Sequence, residues 1–448
     1  MTFQKYPNNR REYQFLVYIV RNGVFLLKKS KFLEAVEVCR KVLFDFHFMC
    51  DSRTKATYFT REGGKLTFPE IILFVLNLVT KSLQIELNDF FNLIKKDGET
   101  ISKQGFSQAR RKIKPEAFKK LFDTITKWFY QANNSYNFLG FRLYAIDASI
   151  IEIANSQRLR DTFGASKGNG KELARAMVST IYDIGNDLFV KGKITKCTDS
   201  ERTVAMELIS SFLELRSDRD LFLFDRGYPA KYFFHYLLEN KVNFVVRTPV
   251  NFYRSIIKEE VSDQIFELVY KGKVMRLRAV HIPIGPGEEE LLITNILDES
   301  FDIPTFKVLY FKRWSIETKY DVLKNKIQIE KFSGATKQTI EQEFYAALFL
   351  TNMASLLKHE SDVIIAEEQK DKGLKYEYKT NNNILIGALK DKLICLIFEP
   401  SAKRRKKLYK ALLNEVQRNR VPIRPGRQFK RSRGLNANKH GFGQRSAI

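Results

Sequence analysis

The sequence predicts an α/β fold with a helical region before the core and a basic region after it. Residues 1–135 carry apolar side chains at helical spacing, and residues 136–360 alternate strand-like runs with helices. Beyond them the chain is rich in Lys and Arg. A length of 448 residues suits about two to four domains of the usual size. The predicted parts are a helical domain, a first core part, a β-rich insertion, a second core part and a basic C-terminal region, at 1–135, 136–248, 249–300, 301–360 and 361–448.

The charge of the chain points to a polyanionic partner. Lys and Arg number 76 against 51 Asp and Glu, a formal net charge of +25. Basic side chains that neutralise phosphates release condensed counterions, which favours binding. Residues 403–448 alone hold 15 basic residues and one acid, Glu415. A basic protein with nonspecific charge, such as a ribosomal protein, is the alternative, and the acids embedded in apolar strands weigh against it.

The remaining composition argues against several classes of protein. The four cysteines form no CxxC pair and the five histidines are scattered, so neither a zinc site nor a disulfide framework is expected. The N-terminus has no apolar signal core. The most apolar stretches, 71–79 and 344–357, fall short of the ~20 residues that a membrane span needs. We therefore expect a cytoplasmic protein that does not enter a membrane.

A short helix predicted near residues 102–112 lies between helices over 83–96 and from Pro115 onward. Among its polar side chains it presents Lys103, Arg110 and Arg111. Such side chains bind base edges and phosphates, so a helix-turn-helix is one interpretation. The solvated basic face of a helical bundle is an equally good one.

Two acids stand at the ends of predicted strands in the α/β part. The strand-like runs lie at 138–150, 177–182, 188–196, 221–228 and 243–248, with helices after Ser200 and before the last run. Asp147 closes the first run and Asp225 the fourth. A carboxylate at the end of a buried strand is costly to desolvate unless something neutralises it. Taken singly, each acid would more often be a helix cap or a turn residue.

The region 249–300 is predicted to be β-rich. Met275, Leu277 and Ala279 alternate with Arg276 and Arg278, which is the period of a half-buried strand with a basic outer face.

The helix predicted after Pro304 carries four polar residues on one stripe. Tyr310, Arg313, Glu317 and Lys324 fall within about 60° at ~100° per residue. One interpretation is a surface ladder of ion pairs, each worth only ~0.3–0.5 kcal/mol. The other is a site for a metal-bound phosphate, because a carboxylate can hold the cation while Arg and Lys hold the phosphate oxygens.

Asp147, Asp225 and Glu317 together suggest a divalent-cation site. Three hard oxygen donors with no nearby His or Cys fit Mg²⁺, or Mn²⁺ in its place, better than zinc. Two such ions about 3.5–4 Å apart would activate an attacking oxygen and stabilise a leaving one.

These residues carry a family resemblance. The spacing Y-x₂-R-x₃-E-x₆-K, from Tyr310 to Lys324, resembles the signature of bacterial insertion-sequence transposases of the "insertion sequence four" family. The resemblance covers about residues 85–430 and includes the long spacer from Asp225 to Glu317, which in that family holds a β-strand insertion. Other matching features are Asp147 in YAIDAS, Asp225 in FDRGY, Trp314 after the signature Arg, and VPIRPGR with Arg424 and Arg427.

The resemblance implies a DDE transposase with an RNase H-like catalytic core and an N-terminal DNA-binding domain. It implies two Mg²⁺ ions held by Asp147, Asp225 and Glu317. Water attack would release a 3′-OH at the element end, which then attacks the opposite strand or the target. The partners implied are double-stranded terminal repeats, target DNA and a second copy of the chain. The DNA contacts expected are Tyr310, Arg313, Lys324, Trp314, Lys103, Arg110, Arg111, Arg424 and Arg427.

Two alternatives stay open from the sequence. One is an RNase H-like endonuclease that cuts without joining, which the basic tail and separate N-terminal domain disfavour. The other is a non-catalytic DNA-binding derivative of a transposase, which the three retained acids disfavour.

Overall fold

A computed structural model describes most of the chain. The described residues are 30–60, 63–77, 81–96, 98–132, 137–168, 171–253, 255–258, 260–285, 288–370 and 372–424. Contacts divide the chain into two compact units. In the described part, the first unit holds 129–151 and 175–322, and the second holds 30–128, 152–174 and 323–424. None of the described helices has the length and apolar character needed to cross a bilayer.

The described chain begins with helices of the second unit. They are α1 (Lys31–Leu43), α2 (Phe46–Ser52), α3 (Phe68–Leu76), α4 (Leu83–Leu93), α5 (Lys103–Arg110) and α6 (Glu116–Gln131). The last three confirm the helices expected near 83–96, near 102–112 and after Pro115. Ser102 begins α5 in the expected way, because its hydroxyl accepts a hydrogen bond from the backbone N–H of Gly105 at 3.1 Å.

Strands and helices then alternate. The elements are β1 (Arg142–Glu152), α7 (Gln157–Phe163), β2 (Ala165–Gly168), β3 (Lys171–Asp183), β4 (Leu188–Lys196), α8 (Glu201–Ser211), β5 (Asp220–Phe224), α9 (Lys231–Glu239) and β6 (Asn243–Thr248). The expected order of three strands, helix, strand, helix and strand is confirmed. The sequence analysis missed α7 and β2. It also ended the first strand too early, since β1 continues five residues past Asp147.

Five further strands and several helices complete the described chain. They are β7 (Asp263–Tyr270), β8 (Lys273–Gly285), β9 (Glu288–Thr294), α10 (Ile303–Phe311), α11 (Ser315–Asp321), α12 (Lys337–Gln369), β10 (Tyr378–Thr380), α13 (Asn382–Phe398), α14 (Ala402–Arg418) and β11 (Arg420–Pro422). The helix α14 lies in the stretch rich in Lys and Arg that begins at Lys403.

A mixed sheet organises the first unit. The strand order is β3-β1-β5-β6-β9-β8-β7, with β4 also paired to β3, and β2 pairs with the start of β3. The pairs β1–β5 and β5–β6 are parallel, whereas β6–β9, β9–β8 and β8–β7 are antiparallel. The strands of region 249–300 therefore continue the central sheet through β6.

Both faces of the sheet centre are buried. On one face, Leu221 and Leu223 pack with Leu143 and with Phe306 and Leu309 of α10. The alternate residues of β5, Phe222 and Phe224, face the other side. There Tyr144 stacks on Phe222, while Phe212 and Phe233 contact Phe222 and Phe224 edge to face. Burying one such side chain contributes about 1.5–3 kcal/mol. Because β5 is buried on both faces, its sequence from Leu221 to Phe224 is a continuous run of apolar residues.

The basic outer face expected for β8 is only partly present. Arg276 is exposed, but Arg278 is 5% exposed and its Nη2 lies 2.6 Å from Asp263 Oδ2. The two-residue period breaks here because β8 is covered on both faces from Leu277 to Ile282.

Candidate active site

The two strand acids lie side by side because of strand register. In the parallel β1–β5 pair, Arg142 is opposite Asp220 and Ala145 is opposite Leu223. The same offset, carried two residues further, sets Asp147 beside Asp225, which directly follows β5. The parallel register thus places Asp147, within β1, beside the carboxyl end of β5, where Asp225 stands.

The buried carboxylate of Asp147 lies near two other acids, and the positive charge of Arg313 only partly offsets them. Burial, followed by the negative charge of Asp225, raises the pKa of Asp147 to about 7. The guanidinium of Arg313 opposes that rise and Glu317 adds to it. The three acids therefore share one electrostatic environment, and a bound cation would relieve their repulsion.

Arg313 contacts both the carboxylate of Glu317 and two aromatic rings of the site. It is 3% exposed, and its Nη2 donates to Glu317 Oε1 at 3.2 Å. Its guanidinium carbon lies 5.7 Å from the ring centre of Tyr310 and 5.3 Å from that of Trp314. Its Nε has no hydrogen-bond partner within the described part of the chain. The arginine is thus held in place with part of its donor capacity unused.

The segment that carries this group is not one regular helix. A 3₁₀ turn, Lys312–Trp314, separates α10 from α11, and a π-helical turn, Val322–Lys326, follows α11. The single stripe expected from Tyr310 to Lys324 rests on a constant ~100° per residue. Because the 3₁₀ and π-helical turns have other angles per residue, that assumption fails here. Tyr310 is 2% exposed and Trp314 is half-buried, both in the first unit with Arg313 and Glu317. Lys324 belongs to the second unit.

The donor set fits a divalent cation, although it is not assembled as a coordination shell. In the stretches that the structure describes, no group of three or more His, Cys, Asp or Glu side chains is arranged to hold a metal ion. The carboxylates of Asp147, Asp225 and Glu317 are near enough to affect each other electrostatically. Their chemistry fits Mg²⁺ or Mn²⁺.

Tyr320 connects α11 to the strand that carries Asp147. Its hydroxyl lies 2.9 Å from the backbone oxygen of Asp147 and 3.0 Å from Oγ1 of Thr180 on β3. The sequence analysis did not single out Tyr320. The only signal available was its position three residues after Glu317, on a neighbouring part of the helix surface.

Two further arginines, Arg226 and Arg247, lie beside this site, and the sequence analysis did not identify them. Arg247 on β6 forms an ion pair through two nitrogens with Glu290 on β9, and Arg226 Nη2 lies 3.2 Å from the same carboxylate. Burial lowers the pKa of Arg247, and the charges of Arg226 and Arg313 add to that effect. Three guanidinium groups therefore lie close together, with Tyr310 beside Arg247 and Arg313.

The other expected DNA contacts are scattered. Lys103, Arg111 and Arg424 are exposed. Arg427 lies outside the described residues. None of the three described residues is brought to Asp147 by a contact that the structure describes.

Arg110 does not match its expected role. It is 3% exposed, and its Nε donates to Gln342 Oε1 at 2.6 Å. Its Nη1 donates to Glu343 Oε1 and its Nη2 to the backbone oxygen of Thr339, each at 3.0 Å. This corrects the expectation of a DNA contact, because every terminal nitrogen of the guanidinium is used within the second unit.

The segment that carries Asp147, Asp225 and Glu317 is similar to known proteins. Residues 139–353 match the family model of the transposase DDE domain, and the match supports a DDE transposase. No curated protein matches the chain. Among solved structures, a piggyBac transposase synaptic complex with hairpin DNA matches with a TM-score of 0.43 and 12% identity, covering 85% of each chain.

Proposed function

We propose that the chain is a transposase that cuts an insertion sequence out of DNA and joins it to a new site. The observation that supports this most directly is the β1–β5 register, which sets Asp147 beside Asp225. Glu317 and Arg313 share the electrostatic environment of these two acids. All of these residues lie within the segment 139–353 that matches the transposase DDE domain.

In this proposal Asp147, Asp225 and Glu317 hold two Mg²⁺ ions. When bound, the ions lower the barrier by activating the attacking oxygen and stabilising the leaving one. Arg313, held by Glu317, would direct its free Nε–H toward a phosphate oxygen. A hydrogen bond of this charged type contributes about 1.5–3 kcal/mol. Tyr310, Trp314 and Lys324 are proposed to contact the DNA near the scissile bond.

The reaction has two balanced steps. In the first, the oxygen of water attacks phosphorus at the element end and the bond to the 3′ oxygen breaks, which leaves a 5′-phosphate and a free 3′-OH. In the second, that 3′ oxygen loses its proton and attacks another phosphodiester, so one P–O bond forms while another breaks. The attacked strand is either the opposite strand or the target. The second step exchanges equivalent bonds and needs no external energy source.

Further parts of the proposal follow from the family resemblance and the charge. The core is proposed to be RNase H-like and the family to be that of "insertion sequence four". The exposed Lys103, Arg111 and Arg424 are proposed to hold DNA phosphates, which suits the net charge of +25. We further propose a homodimer that holds two element ends, and a location in the cytoplasm on the nucleoid.

The test uses purified protein, Mg²⁺ and a labelled duplex that ends in the terminal repeat of the parent element. Wild type is compared with Asp225→Asn and Glu317→Gln, which remove one negative charge each with little change in size. We expect wild type to nick the end and join it to a target, and both variants to bind DNA but not to cut it.

Other outcomes would overturn parts of the proposal. Variants that cut as fast as wild type would remove the acids from the mechanism. Cutting without any joined product would indicate an endonuclease. Binding without cutting in either Mg²⁺ or Mn²⁺ would indicate a non-catalytic DNA-binding derivative.

A further inference from the structure

A fourth carboxylate, that of Glu201, lies next to the predicted acids. Glu201 is the first residue of α8, and Ser200 precedes it with its hydroxyl placed to cap the helix. A Cβ built on Gly227 would lie 3.3 Å from Glu201 Oε2 and 3.1 Å from Asp225 Oδ1. The two carboxylates therefore border one small space, which stays open because residue 227 has no side chain.

The loop after β5 shapes this space. The backbone N–H of Gly227 donates to Asp225 Oδ1 at 2.8 Å and fixes that carboxylate. Burial and the negative charge of Asp225 raise the pKa of Glu201. The positive charge of Arg202 opposes that rise without cancelling it, so the two acids repel each other across the space beside Gly227.

A buried hydroxyl provides an independent sign that a ligand belongs here. Tyr228 is 0% exposed, and its hydroxyl has no hydrogen-bond partner in the described chain. Its ring packs on Phe224 and Phe233. Burial raises the pKa of its hydroxyl most, and the negative charges of Asp147, Glu201 and Asp225 add to that rise. A buried hydroxyl without a hydrogen-bond partner destabilises the folded state. A ligand in this space, or a carboxylate turned by one, would satisfy it.

We propose that Glu201 is a fourth carboxylate of the metal site, which binds a divalent cation together with Asp225, and that Tyr228 donates a hydrogen bond within the loaded site. This inference rests on the proposed function and extends its ligand set. Mg²⁺ keeps several of its waters and takes few direct carboxylates. Glu201 is exposed at the rim, so it holds the ion directly or through one of those waters.

The first experiment measures Mn²⁺ and Mg²⁺ binding by calorimetry on the full chain without DNA. Glu201→Gln removes the charge at nearly constant size. Glu207→Gln is the matched control, because Glu207 lies on the same helix, is exposed, and pairs with Lys193 of β4. Outer ligands of metal sites are worth about 10–100-fold in affinity. We expect Glu201→Gln to weaken Mn²⁺ binding about tenfold or more, and Glu207→Gln to leave it unchanged.

A second variant tests the space itself. Gly227→Ala places a methyl group between the two carboxylates while leaving both charges in place. We expect it to weaken metal binding as Glu201→Gln does, with unchanged binding to end DNA in the absence of metal. Thermal melting of both variants in chelator separates a loss of ligand from a loss of fold, because only metal-dependent stabilisation changes if Glu201 is a ligand.

The outcomes distinguish this inference from the proposed function. If Asp225→Asn loses metal binding while Glu201→Gln and Gly227→Ala bind as wild type does, Glu201 is not part of the site. If wild type itself binds no divalent cation, the inference fails with the ligand set on which it rests. If wild type binds the ion with the help of Glu201 but neither cuts nor joins DNA, the metal site stands and the proposed function fails.

Discussion

Two arginines, Arg110 in the second unit and Arg313 in the first, are equally buried at 3% exposure but differ in how their donors are used. Arg110 bonds Gln342, Glu343 and Thr339 through three nitrogens. Arg313 donates to Glu317 Oε1 at 3.2 Å, whereas its Nε has no hydrogen-bond partner among the described residues.

The difference separates a structural arginine from a candidate functional one. A buried cation whose donors are all satisfied contributes to folding and has nothing left to offer a ligand. Arg313 is a buried cation beside the carboxylates of Asp147 and Asp225, and one of its N–H groups has no hydrogen bond within the described part of the chain. Such an unsatisfied donor destabilises the folded state unless a ligand accepts a hydrogen bond from it. Burial alone therefore does not identify function, whereas incomplete satisfaction next to other charged groups does.

The largest effect on stability is expected at Arg110. Arg110→Met leaves Glu343 buried without its ion pair, which should cost about 3–5 kcal/mol of unfolding free energy. Urea denaturation measures this cost. The double variant Arg110→Met with Glu343→Gln should recover part of it, because no unpaired charge remains. If the single variant is as stable as wild type but binds DNA less well, Arg110 would return to the group of DNA contacts.

For Arg313 we expect a large loss of DNA cleavage and a smaller loss of stability than for Arg110. Arg313→Gln should reduce cleavage of an element end about 10²–10³-fold, the range for removing one preorganised charged donor from a transition state. Its cost in unfolding free energy should be smaller than that of Arg110→Met, since its ionic partner Glu317 is partly exposed. Single-turnover cleavage and urea denaturation on the same samples test the comparison. Equal loss of stability, with normal cleavage by the folded fraction, would make Arg313 a structural residue too.

The smallest of these effects is expected at Tyr320, a positioning residue that acts through Asp147. Tyr320→Phe removes the hydroxyl that contacts the backbone oxygen of Asp147 at 2.9 Å. We expect metal binding and cleavage to fall about fivefold, which corresponds to ~1 kcal/mol for one hydrogen bond.

Tyr236→Phe serves as the control for Tyr320→Phe. The Tyr236 hydroxyl also bonds a backbone oxygen in the first unit, that of Met206, at 2.8 Å. It should lower stability by a similar amount without changing the metal affinity. Equal metal affinity in both variants would assign Tyr320 to structure alone.

Much of the local structure was predictable because its signals lie within a few neighbouring residues. The helices α4, α5 and α6 follow from apolar spacing and from starting residues such as Ser102. The strand β5 was predictable from four apolar residues in a row. The helix α7 and strand β2 were missed, since each is short and neither has a strong period. The π-helical turn at Val322–Lys326 was missed because a constant helical angle had been assumed.

The sequence by itself determined the α/β order of elements, the excess of positive charge, and the three acids and signature residues that suggest a transposase. Tertiary structure alone decided which side chains meet. A pairing offset of 78 residues brings Asp147 to Asp225, and the start of α8 brings Glu201 to the same loop. It also separated Arg110 from its exposed neighbour Arg111. Periodicity reports only a local preference, whereas register and burial depend on packing between residues far apart in the chain.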